Sequence, residues 1–312
     1  MDERHPYDVA ARGGGVQDVD RTRHAARLRQ RTPVLLRDGT ALACPPATDP
    51  ASRKAIDMRT VTVKNVVIGT GRPKILVPIT AKTSADALAA AGRLAQEEAL
   101  DLIEFRVDYL DIALDRTKLA GLTFDVAKAA PTKPILVTFR TKADGGATAI
   151  DDRDYAELYA TVLREGRADL IDVELMRDES VVRRLVDEAH RAGVGVVMSN
   201  HDFAATAATE ELVARMRRMQ ELDADILKIA TMPIDAGDVL KLLTATWLMH
   251  SRYADRPLIT MSMAGKGVIS RLSGELFGSA ATFGMVGQAS APGQMALPDL
   301  RKVLELVNHS MG

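Results

Sequence analysis

Lys228 lies in the middle of a short apolar run, Asp225-Ile226-Leu227-Lys228-Ile229-Ala230-Thr231-Met232-Pro233. Bounded by Ala224 and Pro233, the run is too short for a helix and reads as a buried strand of the parallel type. An ammonium inside a protein is costly unless its pKa falls or an anion stands beside it. A lysine that is neutral part of the time attacks ketones and aldehydes, and the protonated imine it forms is an electron sink. A lysine at a strand end whose amine snorkels to water or pairs with a carboxylate would fit this segment equally well. The second chemical group is His201, in Val196-Val197-Met198-Ser199-Asn200-His201-Asp202-Phe203. Of six histidines it alone falls at the carboxyl end of a core-strand pattern, whereas His190 and His250 fall within helical patterns. It is either a packed histidine or a general acid and base, and Lys228 ending the adjacent strand favours the second. No other His or Cys is placed to complete a zinc site, so a zinc hydrolase is not expected.

Further charged residues recur at strand ends. Leu102-Ile103-Glu104-Phe105-Arg106-Val107-Asp108 alternates strictly, which puts Glu104, Arg106 and Asp108 on one face. They form a self-satisfied ion network or contact a ligand; the network is favoured for Asp108 but not for Arg106. Val137-Thr138-Phe139-Arg140 runs into Thr141-Lys142-Ala143-Asp144-Gly145-Gly146. An arginine at a strand terminus, followed by a carboxylate and a flexible glycine pair, suits an anionic or hydroxylated ligand. Asp172 and Glu174 share a parity and are again network or site. Arg271, in the first turn of a helix, is a carboxylate clamp or a surface arginine. The preceding Gly265-Lys266-Gly267 does not meet the phosphate-loop spacing. Gln288 to Gln294, which includes Ser290, is a turn-rich stretch of the kind that closes over a site.

The elements that must carry these groups repeat along the chain. Short β-branched runs at 74–80, 102–109, 134–140, 170–175, 194–199, 226–232, 258–263 and 281–285 are separated or followed by helical patterns. Clear helical patterns span 84–99, 155–166, 180–192, 209–221, 238–253 and 298–307. Eight such units in about 250 residues predict an α/β fold of the closed (β/α)8 TIM-barrel type, with its chemistry at the carboxyl ends of the strands. A doubly wound sheet is the competitor, but no G-x-G-x-x-G follows the first strand. Ahead of the repeats, Val61 to Gly69 alternates with a period of two and reaches Gly69-Thr70-Gly71, which reads as an N-terminal β-hairpin. Residues 1–57, with Gly13-Gly14-Gly15 and Cys44-Pro45-Pro46, show little apolar periodicity and read as a disordered or weakly ordered leader. The leader has too many acids for a targeting peptide and lacks a signal-peptide apolar core. The expected division is therefore leader 1–57 and barrel 58–312.

Composition narrows the function. The chain is 312 residues long, 46% hydrophobic and 27% charged, with a net charge of −1. No basic excess points to nucleic acid, and an aromatic content of 4% offers few stacking platforms. No apolar run is long enough to span a membrane. A single cysteine, Cys44, excludes an intramolecular disulfide framework and fits a reducing, cytoplasmic compartment.

Taken together, Glu104-Phe105-Arg106-Val107-Asp108, Thr138-Phe139-Arg140, Met198-Ser199-Asn200-His201-Asp202-Phe203, Leu227-Lys228-Ile229-Ala230, Gly267-Val268-Ile269-Ser270-Arg271 and Ser290-Ala291-Pro292-Gly293-Gln294 resemble the type I 3-dehydroquinate dehydratases. The resemblance runs from about Met58 to the C-terminus and has no counterpart for residues 1–57. It implies a Schiff-base lyase of the shikimate pathway, serving aromatic amino acid biosynthesis. In that reading Lys228 forms the imine with the C3 ketone of 3-dehydroquinate, and His201 acts as general acid and base. Glu104, Arg106, Arg140, Arg271, Ser290 and Gln294 surround the substrate, with Arg271 on its carboxylate. The resemblance further implies a homodimer and no cofactor or metal. Two positions depart from the family pattern. Asp144 stands where a glutamate commonly bonds the histidine, and Pro78 stands where some members carry a serine. An aldolase-like Schiff-base barrel remains a rival, although sugar-phosphate aldolases need a phosphate cradle near the last strands. So does a catalytically silent carboxylate-binding barrel, which would have no use for Lys228 and His201 together.

Overall fold

Strand residues alternate between two buried environments, and that alternation builds the molecule. A computed structural model describes residues 58–287 and 293–312; the leader expected at 1–57 lies outside the described residues. Eight strands, β3 (Lys74–Ile79), β4 (Leu102–Arg106), β5 (Ile135–Thr138), β6 (Leu170–Glu174), β7 (Gly195–Asp202), β8 (Ile226–Thr231), β9 (Leu258–Ser262) and β10 (Ala281–Met285), form the TIM barrel. From β3 to β9 each pairs in parallel with the next, and β10 returns beside β3. The seam between β9 and β10 is held by a bridge from Leu258 to Ser279, with the Ala280 amide donating to the Leu258 carbonyl at 2.7 Å. A short strand, β11 (Met295–Ala296), extends the carboxyl end of β10.

Outward residues such as Ile103, Val137, Ile171, Met198, Leu227 and Leu258 pack under the helices. The helices are α1 (Ser84–Leu94), α2 (Arg116–Ala129), α3 (Asp152–Glu165), α4 (Glu179–Arg191), α5 (Thr209–Glu221), α6 (Ala236–Arg252), the short α7 (Val268–Leu272) and α8 (Gly274–Phe277), and α9 (Leu297–Met311). In α4 the buried stripe Val182, Leu185, Val186 and Ala189 follows helical spacing, and Asp178 caps its first turn. Each fully buried Leu or Val on such a stripe contributes roughly 1.5–3 kcal/mol.

Inward residues are sorted by depth. At the amino ends of the strands Leu102, Leu136, Leu170, Val197, Ile226 and Ile259 make an apolar floor, closed from below by Val66 and Ile68. One inward step further come Glu104, Thr138, Asp172, Ser199 and Lys228, all buried. Another step brings Arg106, Arg140, Glu174, His201 and Ala230 to the carboxyl end. Among the described residues no helix is long and apolar enough to cross a membrane.

The hairpin β1 (Val61–Val63) and β2 (Val66–Ile68) is present, but its turn is Lys64-Asn65, inside the alternating run, and not Gly69-Thr70-Gly71. Lys64 takes a left-handed φ of 52° there, and its amine reaches the Lys133 carbonyl at 2.8 Å and Asp169 at 3.0 Å, which pins the hairpin beneath the barrel. Gly69 instead lets the chain leave the hairpin: at φ +104° a Cβ there would lie 2.8 Å from the Pro257 ring. The helix at 116–129 has a weak sequence signature because its buried face is built partly from Ala120, Thr123 and Ala127, which alternate poorly with their neighbours. Strand β4 ends at Arg106, so Asp108 sits in a 3-10 turn, Val107–Tyr109, and not on a continuing strand face. β7 continues to Asp202, which places His201 within the strand. Lys228 is mid-strand in β8 and does not end it.

Candidate active site

A lysine in the middle of a barrel strand must point either into the helical layer or into the barrel, and the parity of β8 sends Lys228 inward. Its side chain is 4% exposed. The amine lies 3.1 Å from Glu104 Oε1 and 3.2 Å from Asp172 Oδ2, with the Phe283 ring 4.8 Å away. Two carboxylates and an aromatic face replace the water that burial removes. Both carboxylates are themselves held: Thr138 Oγ1 donates to Glu104 at 3.1 Å, and Ser199 Oγ to Asp172 at 2.6 Å. Burial alone would raise the Asp172 pKa, but the Arg140 and Lys228 cations outweigh it and hold the carboxyl well below the usual range.

His201 stands one inward step above. The β7–β8 register pairs Ser199 with Lys228 and His201 with Ala230, so imidazole and amine line the same cavity from neighbouring strands. Nδ1 of His201 is 2.8 Å from Asp144 Oδ2, and the His201 amide lies 3.3 Å from Oδ1 of the same carboxylate. Burial first and the Arg140 charge second push the His201 pKa down to about 4, against the pull of Asp144. The ring is therefore neutral near pH 7. Asp144, whose carboxyl is held below its ordinary value by the His201 bond and Arg140 in spite of burial, can only accept. The proton must sit on Nδ1, which leaves Nε2 as the basic nitrogen.

Arg140 ties the two halves together. Nη1 reaches Asp144 at 3.1 Å, Glu174 at 3.0 Å and Ser199 at 2.9 Å, while Nη2 reaches Asp172 at 2.7 Å. So committed, it offers a ligand charge more than hydrogen bonds. Arg106 is held through two bonds to Asp108, at 2.8 and 2.9 Å, with its guanidinium over the Tyr109 ring. Asp108 also accepts from the Arg140 and Ala147 amides, at 3.2 and 3.0 Å, so it is a structural tie between strand ends. Arg271, 1% exposed, lies with Nη1 3.8 Å from Met261 Sδ, and burial lowers its pKa to about 10, still cationic at neutral pH.

A family model for type I 3-dehydroquinase matches residues 75–311. The chain belongs to the type I 3-dehydroquinase family. A 3-dehydroquinate dehydratase of Listeria monocytogenes serotype 4a (strain HCC23) is 50% identical over 251 residues, covering 80% of this chain and 99% of the relative. One of Klebsiella pneumoniae (strain 342) is 48% identical over 248 residues, covering 80% and 98%. Among solved structures, the type I 3-dehydroquinate dehydratase of Clostridium difficile with covalently modified comenic acid has a TM-score of 0.79 at 46% identity, covering 81% of this chain and 99% of that one. The 3-dehydroquinate dehydratase of Geobacillus kaustophilus HTA426 has a TM-score of 0.77 at 35% identity, covering 81% and 98%.

In this type I 3-dehydroquinase, Lys228, His201, Glu104, Arg106, Arg140, Arg271 and Gln294 all line one cavity at the carboxyl end of the barrel. Asp144 stands behind His201. Ser290 lies outside the described residues. Pro78 borders a separate cleft between β3 and α1. Asp172, for which sequence parity allows network or site, is the second carboxylate on Lys228. Its parity within Leu170–Glu174 was the available signal, since it matches the parity that buries Glu104 and Lys228. Ser199 and Thr138 carried the same signal. Tyr109, Phe203 and Phe283 also line the cavity, and nothing in their local sequence separates them from ordinary core or surface aromatics.

Proposed function

We propose that Lys228 and His201 carry the reaction of this enzyme, the loss of water from 3-dehydroquinate to give 3-dehydroshikimate by way of a lysine Schiff base. The observation that carries the assignment is a lysine buried inside the barrel, facing a cavity that it shares with a neutral histidine on the next strand. In the proposed course, the Lys228 amine, once deprotonated, adds to the C3 carbonyl, and loss of that oxygen as water gives an iminium. The iminium withdraws electrons from the adjacent carbon, whose proton leaves. The electron pair becomes the new double bond as the neighbouring hydroxyl departs with a proton as water. Addition of water to the imine then releases the product and restores the amine.

His201 Nε2 takes and returns protons in these steps, and Asp144 fixes its tautomer. Glu104 and Asp172 balance the positive charge that stays at Nζ while the iminium exists. Arg271, a buried guanidinium facing the cavity, suits the substrate carboxylate. Arg106, Arg140, Ser290 and Gln294 complete the surroundings by family resemblance. A cytoplasmic homodimer belongs to the same reading, supported by that resemblance and by the single cysteine.

Borohydride added during turnover of 3-dehydroquinate should reduce the imine and leave a mass increment on the peptide carrying Lys228. Lys228→Ala should abolish both adduct and turnover while still binding the substrate. An adduct on another lysine, or an unmodified enzyme under turnover, would discard the assignment.

A further inference from the structure

Asp144 is an unusual reach. Its carboxylate has one methylene between it and the backbone, so the loop itself must come to His201. That loop, residues 141–148, is fastened at its base: Lys142 N donates to the Thr148 carbonyl at 2.9 Å, and Thr148 Oγ1 to the Asp108 carbonyl at 2.6 Å. Its tip is a 3-10 turn, Lys142–Asp144, ended by Gly145 in a left-handed conformation at φ 84°. The tip makes a second close contact. A Cβ on Gly145 would lie 2.1 Å from Cε2 of Phe203, so the aromatic ring rests on the bare Cα immediately after Asp144. The same ring lies near-parallel to the His201 imidazole, with centroids 6.1 Å apart and planes 17° apart. Phe203 is 45% exposed, more than burial of an apolar core would leave it.

We propose that Phe203 is a positioning residue: wedged between Gly145 and the His201 ring, it holds the loop tip at the distance from which an aspartate can bond Nδ1. Phe203 meets the loop tip at Gly145, the residue after Asp144, and lies beside the His201 ring, and a side chain at 145 would push the tip off the ring. The inference rests on the reading of His201 and Asp144 as the proton-transfer pair, but it has a readout of its own in the substrate-free enzyme.

The test is Phe203→Ala, with Phe203→Leu as the conservative partner that keeps apolar bulk over Gly145. In the substrate-free protein, nitrogen-15 NMR of the histidine rings should show His201 of the Ala variant moving from the Nδ1-protonated tautomer toward a mixture. kcat should fall by about 10- to 100-fold, as expected for displacement of a catalytic group by roughly an ångström, with KM changed much less. The Leu variant should recover most of both signals. An unchanged tautomer in the Ala variant overturns the proposal, as does a rise in KM alone, which would make Phe203 a cavity wall. A tautomer shift without loss of kcat supports the clamp and removes the histidine pair from catalysis instead. Borohydride trapping of both variants separates failure of the clamp from failure of the lysine chemistry.

Discussion

A neutral imidazole held by a charged carboxylate sets how this site responds to acid. The unfolded chain takes up the His201 proton near pH 6.5, whereas the folded enzyme takes it up at about 4, chiefly because burial disfavours the charged ring. Between those values the unfolded state binds more protons, so this residue makes folding stability fall as pH drops through the window and leaves it untouched above. Histidine NMR in the free enzyme should therefore find His201 still neutral and Nδ1-protonated at pH 6. A midpoint at or above 6.5 would contradict the burial argument. At this scale the sequence pointed to most of the polar residues that line the cavity, because Lys228, His201 and the strand-end arginines are types whose burial demands an explanation. It was silent on which carboxylate serves which cation. Asp108 and Asp172 look alike along the chain, and only packing across strands makes one a tie between backbone amides and the other a counter-charge for Lys228.

Among the elements, the loop after β9 carries visible strain. Ala264 adopts φ 57° and ψ −179°, a region that favours glycine because a Cβ crowds the neighbouring peptide there. Its carbonyl oxygen would lie only 2.3 Å from a Cβ on Gly293, so the chain just before Gln294 approaches it as closely as a bare Cα allows. Ala264→Gly should relieve the strain at a small entropic cost and raise unfolding free energy by about 1 kcal/mol in urea titration. A loss of stability would show that the Ala264 methyl contributes more by packing than its backbone loses. Most strands were legible within a residue or two because β-branched runs bounded by turns are distinctive, but β4 stops three residues short of its expected end and β7 runs three past it. Less legible were features set by tertiary contact. The hairpin turn at Lys64-Asn65 hid inside an alternating pattern, and α2 hid behind its alanines.

For the molecule as a whole, the hairpin acts as a stopper. Ile68, 1% exposed, packs under the apolar floor of the barrel, on the opposite side of that floor from Lys228. Ile68→Ala should cost about 2–5 kcal/mol of stability and leave kcat unchanged, measured by denaturant unfolding and steady-state turnover. A matching loss of kcat would mean that the floor also tunes the chemistry. The barrel itself was readable from eight repeating units, but the closing of its lower end was not. A floor is made by residues from many strands, none of which carries a signal alone.

Among the described residues that lower end is blocked, so the amine is approached through the cavity at the carboxyl end of the barrel. Substrate, the water expelled, the water that frees the product and the product itself must pass one another on the same path. A ketone that condenses with Lys228 but resists hydrolysis would lodge there like a cork, and its bulk alone would bar both the next substrate and the water needed to dislodge it.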